Sequence, residues 1–155
     1  MTKKYDLIVI GGGASGMMAA GRAGERGLRV LLLEKNKQLG KKILITGNGR
    51  CNILNAISDE HMLLEKYGHS KQFLYSLFAQ FGEKDAFNFF DSHGLPLVIE
   101  EYNRVFPKSQ NAFDVVQFLD DYMYRGNVEV RTGCVVRACR LQTTILNLLC
   151  AGMKC

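Results

Sequence analysis

Proline is scarce, cysteine forms no CxxC pair, and no apolar run approaches the roughly 18 residues that span a bilayer. With 2 prolines and 16 glycines in 155 residues that are 47% hydrophobic, the chain is neither collagen-like nor disordered. That length holds one sizeable core and little more. Five cysteines, an odd number without a secretory signal, point to reduced thiols and a cytoplasmic setting rather than a disulfide framework. The start at Met1 imitates a signal peptide, but Asp6, the glycines from Gly11 and Arg22 interrupt any long apolar region. His61, His69 and His93 lack carboxylate or thiol partners at ligand spacing, so no metal is expected. The formal charge of +5 lies mostly in residues 134–155, which hold Arg137, Arg140 and Lys154 and no acid; the first 133 residues carry +2. No clustered basic face stands out, so neither nucleic acid nor membrane is an expected partner.

What is present begins with Tyr5, Asp6, Leu7, Ile8, Val9 and Ile10, a near-continuous aliphatic run suited to a strand buried on both faces of a parallel sheet. It stops at Gly11, Gly12, Gly13, Ala14, Ser15 and Gly16. A small-residue segment follows and ends at Gly27, a candidate left-handed cap. Residues 28–34 then read as a second buried strand closing on Glu34. The pattern is β-α-β. Gly11, Gly13 and Gly16 match the dinucleotide fingerprint: the first turns sharply, the second admits a pyrophosphate, and the third lets helix and sheet pack closely. The helix N-terminus offers free N–H groups to phosphate. Glu34 sits 18 residues beyond Gly16, near the separation of about 20 expected for the acid that accepts from ribose hydroxyls. Such an acid repels a 2′-phosphate, which favours FAD or NAD over NADP. The bland alternative is a structural glycine turn.

A second glycine turn runs through Thr46, Gly47, Asn48, Gly49, Arg50, Cys51 and Asn52. Asn48 suits left-handed geometry, and Lys41, Lys42 and Arg50 place positive charge beside the turn. Spacing alone leaves open whether it grips a ligand or merely turns.

Together, the opening GGGASG, the Glu34-Lys35 strand end, KKILITGNGRCNILN and the later RVFPKS resemble the bile-acid-operon N-type and aminoacetone-oxidase-type family of FAD-dependent oxidoreductases. The resemblance runs from about Tyr5 to Ala138. It implies an α/β, Rossmann-like FAD/NAD(P)-binding domain with a parallel sheet, truncated relative to the family. Residues 11–16, Glu34 and Lys35 are then expected at the ADP half of FAD. Lys42, Thr46, Gly47, Gly49, Arg50, Cys51 and Asn52 are expected near the pyrophosphate, ribityl chain or flavin, and Val136 near the adenine. A relative of full length would add NAD(P)H and a small-molecule substrate as partners. Cys51 lacks a resolving cysteine, so a packed loop thiol is the stronger reading than a redox one.

Between residues 58 and 127 a helical excursion is expected. Phe73, Leu74, Leu77, Phe78 and Phe81 fall on one helical face after a Ser70 cap candidate, a stripe expected in the core. A second helix carries Phe87, Phe89 and Phe90 and ends before Gly94. Residues 96–107 read as extended, with a turn at 101–104 in which Asn103 stands where the family more often has glycine. Ala112, Val115, Val116, Leu119, Tyr122 and Met123 make an amphipathic helix ended by Gly126, and residues 128–132 a third parallel strand.

Past Ala138 resemblance and composition change together. We therefore divide the chain into an FAD-binding domain over 1–138 and an atypical tail over 139–155, expected as a frameshifted or truncated reading of a longer gene. The ordinary alternative is a short C-terminal helix. The expected function is the FAD-binding portion of a flavin-dependent oxidoreductase, incomplete and without identifiable catalytic residues. An NAD-binding dehydrogenase domain and a non-catalytic nucleotide-binding module are the alternatives.

Overall fold

β1 (Leu7–Ile10) pairs in parallel with β2 (Val30–Leu33), and β2 pairs in parallel with β6 (Glu129–Arg131). The sheet order β1-β2-β6 puts β2 in the middle, and all four of its residues are buried. β1 differs from its reading as a strand buried on both faces. It has a sheet partner on one side among the described residues, its side chains are half-buried, and Ile10 is 55% exposed. The computed structural model describes residues 4–57, 59–142 and 145–151; Ser58, at the start of the expected excursion, and 152–155 of the tail lie outside them.

The chain sorts into two compact units, Met1–Ile43 with Val116–Cys155, and Leu44–Val115. In the first, α1 (Ala14–Glu25) links β1 to β2 and ends at Gly27, whose φ of +81° is the expected left-handed cap. Small residues on α1 admit its neighbours: a side chain at Gly21 would collide with the Tyr122 ring, and one at Gly24 would meet the Gly126 carbonyl oxygen at 2.5 Å. Tyr122 belongs to α5 (Ala112–Arg125), whose apolar face carries the six residues expected of it, all buried. The left-handed residue that closes α5 is Asn127, φ 53°, one place beyond the expected Gly126. β7 (Val135–Gln142) and β8 (Ile145–Ala151) form an antiparallel pair with a register shift between Val136 and Ala138. Residues 139–142 and 145–151 are thus extended, and the short helix considered above does not form over 145–151.

In the second unit, β4 (Leu97–Glu100) and β5 (Arg104–Pro107) make the expected hairpin, with the two-residue β3 (Leu54–Asn55) on the other side of β5. The turn holds Tyr102 at φ 60° and Asn103 at φ 58°, so Asn103 does adopt the conformation that glycine favours. α2 (Glu60–Glu65) is capped by Asp59, which accepts from the Met62 N–H at 3.1 Å. α3 (Lys71–Phe78) starts after Ser70, whose side chain makes no capping bond, and α4 (Glu83–Ser92) stops before Gly94. The phenylalanine stripe does not form core. Phe73 is 75% exposed, Leu77 48% and Phe81 50%, and α3 has no buried residue, because its packing is confined chiefly to α2 and the Gly68–Ser70 turn. Helical spacing reports which residues share a face; it does not say that anything covers it.

Candidate functional site

The parallel strands and α1 bring the glycine turn and Glu34 together. Gly11 leaves β1 at φ +107°, and its N–H donates to the Leu33 carbonyl at 2.7 Å, so the turn is tied to the end of β2. Gly16, on the first turn of α1, lies so close to the Gly11 carbonyl oxygen that a methyl group has no room. Gly12 is equally confined, since a side chain there would strike Leu39. Gly13 is the opposite case. It is the N-cap of α1, and no protein atom lies within 4 Å of where its Cβ would point. The start of the helix is thus open at Gly13, and an open helix N-terminus is an arrangement that suits a phosphate. Ala14 and Ser15 are exposed beside it.

Glu34 is 7% exposed and wired into the turn. Its Oε2 accepts from the Gly12 N–H at 2.6 Å, and its Oε1 accepts from the Asn36 N–H at 2.7 Å and the Asn36 side-chain amide at 2.6 Å. Burial alone would raise the carboxyl, but these donors and the neighbouring Lys35 outweigh it and hold the group below the usual glutamate range. A carboxylate offers about four lone-pair sites, so Oε2 retains one for a further donor such as a ribose hydroxyl. The site therefore fits the adenosine end of a dinucleotide: open space at Gly13, a fixed anion at Glu34 and a helix N-terminus between them in sequence. Asn36 is a participant that the spacing rules do not single out. Val136, half-buried on β7, packs on the cluster of Leu31, Leu33 and Cys134. Lys35 and Lys42 are exposed.

The second glycine turn belongs to the Leu44–Val115 unit. Gly47, Asn48, Gly49 and Cys51 all have left-handed backbones, at φ 54°, 56°, 81° and 61°. The Cys51 N–H donates to the Thr46 carbonyl at 3.0 Å, closing the turn. Beneath it lies Phe106, 1% exposed, so near Gly47 that an added Cβ would meet its ring at 3.0 Å. With its amide nitrogen assigned to the side facing the carbonyls, Asn52 donates to Val105 at 3.2 Å and Leu54 at 3.0 Å, which ties the turn to β5. The Arg50 guanidinium is turned toward Glu100 and Gln110 and lies 4.0 Å from the Phe106 ring centroid. Glu100 and Gln110 stand 50 and 60 residues from Arg50, and no local signal announces them. Cys51 is buried, which pushes its thiol up, partly offset by a hydrogen bond with Thr46. Alkylation at neutral pH should accordingly reach the exposed Cys139 well before Cys51 or Cys134, both buried. Peptide mass spectrometry against time would check this, and equal rates would show that Cys51 is open.

A family model described as the HI0933-like protein Rossmann domain matches residues 5–151. The chain belongs to that family. The expected family, the α/β Rossmann-like fold and FAD as cofactor are all met, and the HI0933-like match continues past Ala138. Over 135 residues the chain is 36% identical to a 3-dehydro-bile acid delta(4,6)-reductase of Clostridium scindens, covering 86% of this chain and 32% of that protein. It is 34% identical over 129 residues to a ribosomal RNA dihydrouridine synthase of Escherichia coli, covering 83% and 31%. The chain thus spans about a third of the length of these curated relatives. Among solved structures, Thermovibrio ammonificans THI4 superposes with a TM-score of 0.61 at 12% identity, over 93% of this chain and 45% of that one. The aromatic hydroxylase CabE superposes at 0.55 with 17% identity, over 97% and 28%. At these identities the likeness is one of fold.

Proposed function

We propose that this HI0933-like chain is the FAD-binding portion of a flavin-dependent oxidoreductase. The observation that carries the reading is the Gly12 N–H to Glu34 bond at 2.6 Å beside the open face of Gly13. In this reading Glu34 accepts from the ribose, Gly11 and Gly12 shape the turn with their N–H groups already paired, and the N–H groups from Gly13 into the start of α1 receive the pyrophosphate. Ala14 and Ser15 supply backbone there, and Lys35 and Lys42 supply positive charge. The 46–52 turn, with Gly47, Gly49, Arg50, Cys51 and Asn52, serves the flavin side, and Val136 the adenine; the motif resemblance supports these assignments. FAD supplies the hydride chemistry when bound, while the chain binds and orients it. We further propose NAD(P)H as the electron donor, a cytoplasmic setting, and a substrate of the whole protein that residues outside this chain select. The two relatives bear names with very different substrates, a bile acid and ribosomal RNA. Among the described residues, no helix is long and apolar enough to cross a membrane.

The test is direct. Purified chain incubated with FAD and then desalted should retain flavin absorbance, and NAD added in excess should not displace it. A chain that emerges colourless, or that binds NAD and ignores FAD, overturns the proposal.

A further inference from the structure

Arg50 is the one side chain of the GRCN segment that meets three other parts of its unit. Its Nη1 donates to both carboxylate oxygens of Glu100, at 3.1 and 3.0 Å, and to the Gln110 Oε1 at 2.8 Å. Its planar head rests on the face of Phe106, 4.0 Å from the ring centroid. Both ionic side chains are part-buried, 33% exposed for Arg50 and 28% for Glu100. Removing Arg50 would take the cation from a part-buried Glu100, and removing Glu100 would leave the Arg50 charge with only Gln110 and the Phe106 face. The backbone around this clasp is unusual. Cys51, next to Arg50, has φ 61°, and Gln110 has φ 59°. Glu100 ends β4 directly before the turn in which Tyr102 has φ 60° and Asn103 φ 58°. Non-glycine residues persist in the left-handed region only where their surroundings over-determine them.

We infer that Arg50 is a positioning residue. It joins the 46–52 turn, the end of β4 and the Gln110 bend into one rigid element, and its charge is committed to Glu100 rather than to a phosphate of the cofactor. A lysine does not replace it, because a compact ammonium cannot lie flat on the Phe106 ring as the planar guanidinium does. Only the cofactor arm of the following test rests on the FAD reading.

The full chain would be compared with Arg50→Gln, Arg50→Lys, Glu100→Gln and the Arg50→Gln/Glu100→Gln double variant by amide hydrogen exchange without cofactor. The reporters are the Arg50 N–H, bonded to the Gly47 carbonyl at 3.2 Å, and the Cys51 N–H, bonded to the Thr46 carbonyl at 3.0 Å. Both single glutamine variants should speed exchange there by about tenfold, and the double variant should add nothing further, as expected for residues that act as one unit. Arg50→Lys should behave like Arg50→Gln. The β1–β2 amides serve as the control for folding and should stay protected. Unchanged turn exchange in Glu100→Gln, or rescue by lysine, overturns the inference. In the second arm, both single variants should loosen FAD by about tenfold in the same direction. An Arg50 that gripped a phosphate would instead bind more tightly once Glu100 lost its charge, and that result also overturns the inference. If the parent chain retains no FAD, the functional reading fails, and exchange at the turn still decides this one.

Discussion

Gly16→Ala should lose FAD retention and destabilise the chain by about 3 kcal/mol, near the upper end of what one extra methyl does in a packed interior. The added carbon would overlap the Gly11 carbonyl oxygen and lie 3.1 Å from the Gly11 carbonyl carbon and 3.5 Å from the Val9 side chain. The first two are backbone atoms, which cannot rotate away as a flexible side chain would. Gly11 is itself pinned, its N–H bonded to Leu33 at 2.7 Å and its φ at +107°. Relief must therefore either lift α1 from the sheet or unmake the turn. Gly13→Ala is the matched control, since its φ of −88° suits any residue and its Cβ meets nothing within 4 Å. It should unfold at the same urea concentration as the parent while losing FAD, because the methyl occupies the space that the cofactor needs. Urea titration followed by circular dichroism, with flavin retention measured in parallel, separates the two. Equal destabilisation by both substitutions would sink the account.

Glu34→Ala should weaken FAD binding by roughly 1.5–3 kcal/mol, the range for a hydrogen bond to a charged group. It should also loosen the apo chain, because the N–H groups of Gly12 and Asn36 lose their acceptor in a site that is 7% exposed. The pH dependence follows from the direction of the shift. With the folded carboxyl held below its ordinary 4.5, the contribution of Glu34 is complete above that value and is lost as pH falls through the lower folded one. Asp6, drawn down to about 2 by Arg29, acts in the same sense at lower pH and remains in the variant. Stability measured from pH 6 downward should thus fall less steeply for Glu34→Ala than for the parent. Identical slopes would deny Glu34 its role.

The β-α-β opening was legible because every signal in it is local: an aliphatic run, glycines at fixed offsets and an acid at the end of the next strand. α5 and β6 were legible for the same reason. The Arg50 clasp was not, because Glu100 and Gln110 reach it from far along the chain and nothing in GRCN encodes where its arginine points. Asn36 escaped notice because the fingerprint stops at the acid, although Asn36 binds that acid through both backbone and side chain. The exposure of β1 and that of the phenylalanine stripe depart from the sequence pattern for one shared reason. Apolar pattern fixes which face is greasy, whereas burial depends on which neighbour arrives.

That stripe also sets how the molecule comes apart. An eight-residue helix with no buried side chain cannot stand alone, since isolated helices shorter than about 12 residues are marginal in water. α3 has little to hold it beyond α2 and the contact of the Tyr67 and Phe78 rings at 5.7 Å. By contrast, β2 is sealed along its whole length. Local opening of α3 is therefore expected to cost less than opening of the β1-β2-β6 sheet, and amide exchange should be faster across Lys71–Phe78 than across Val30–Leu33.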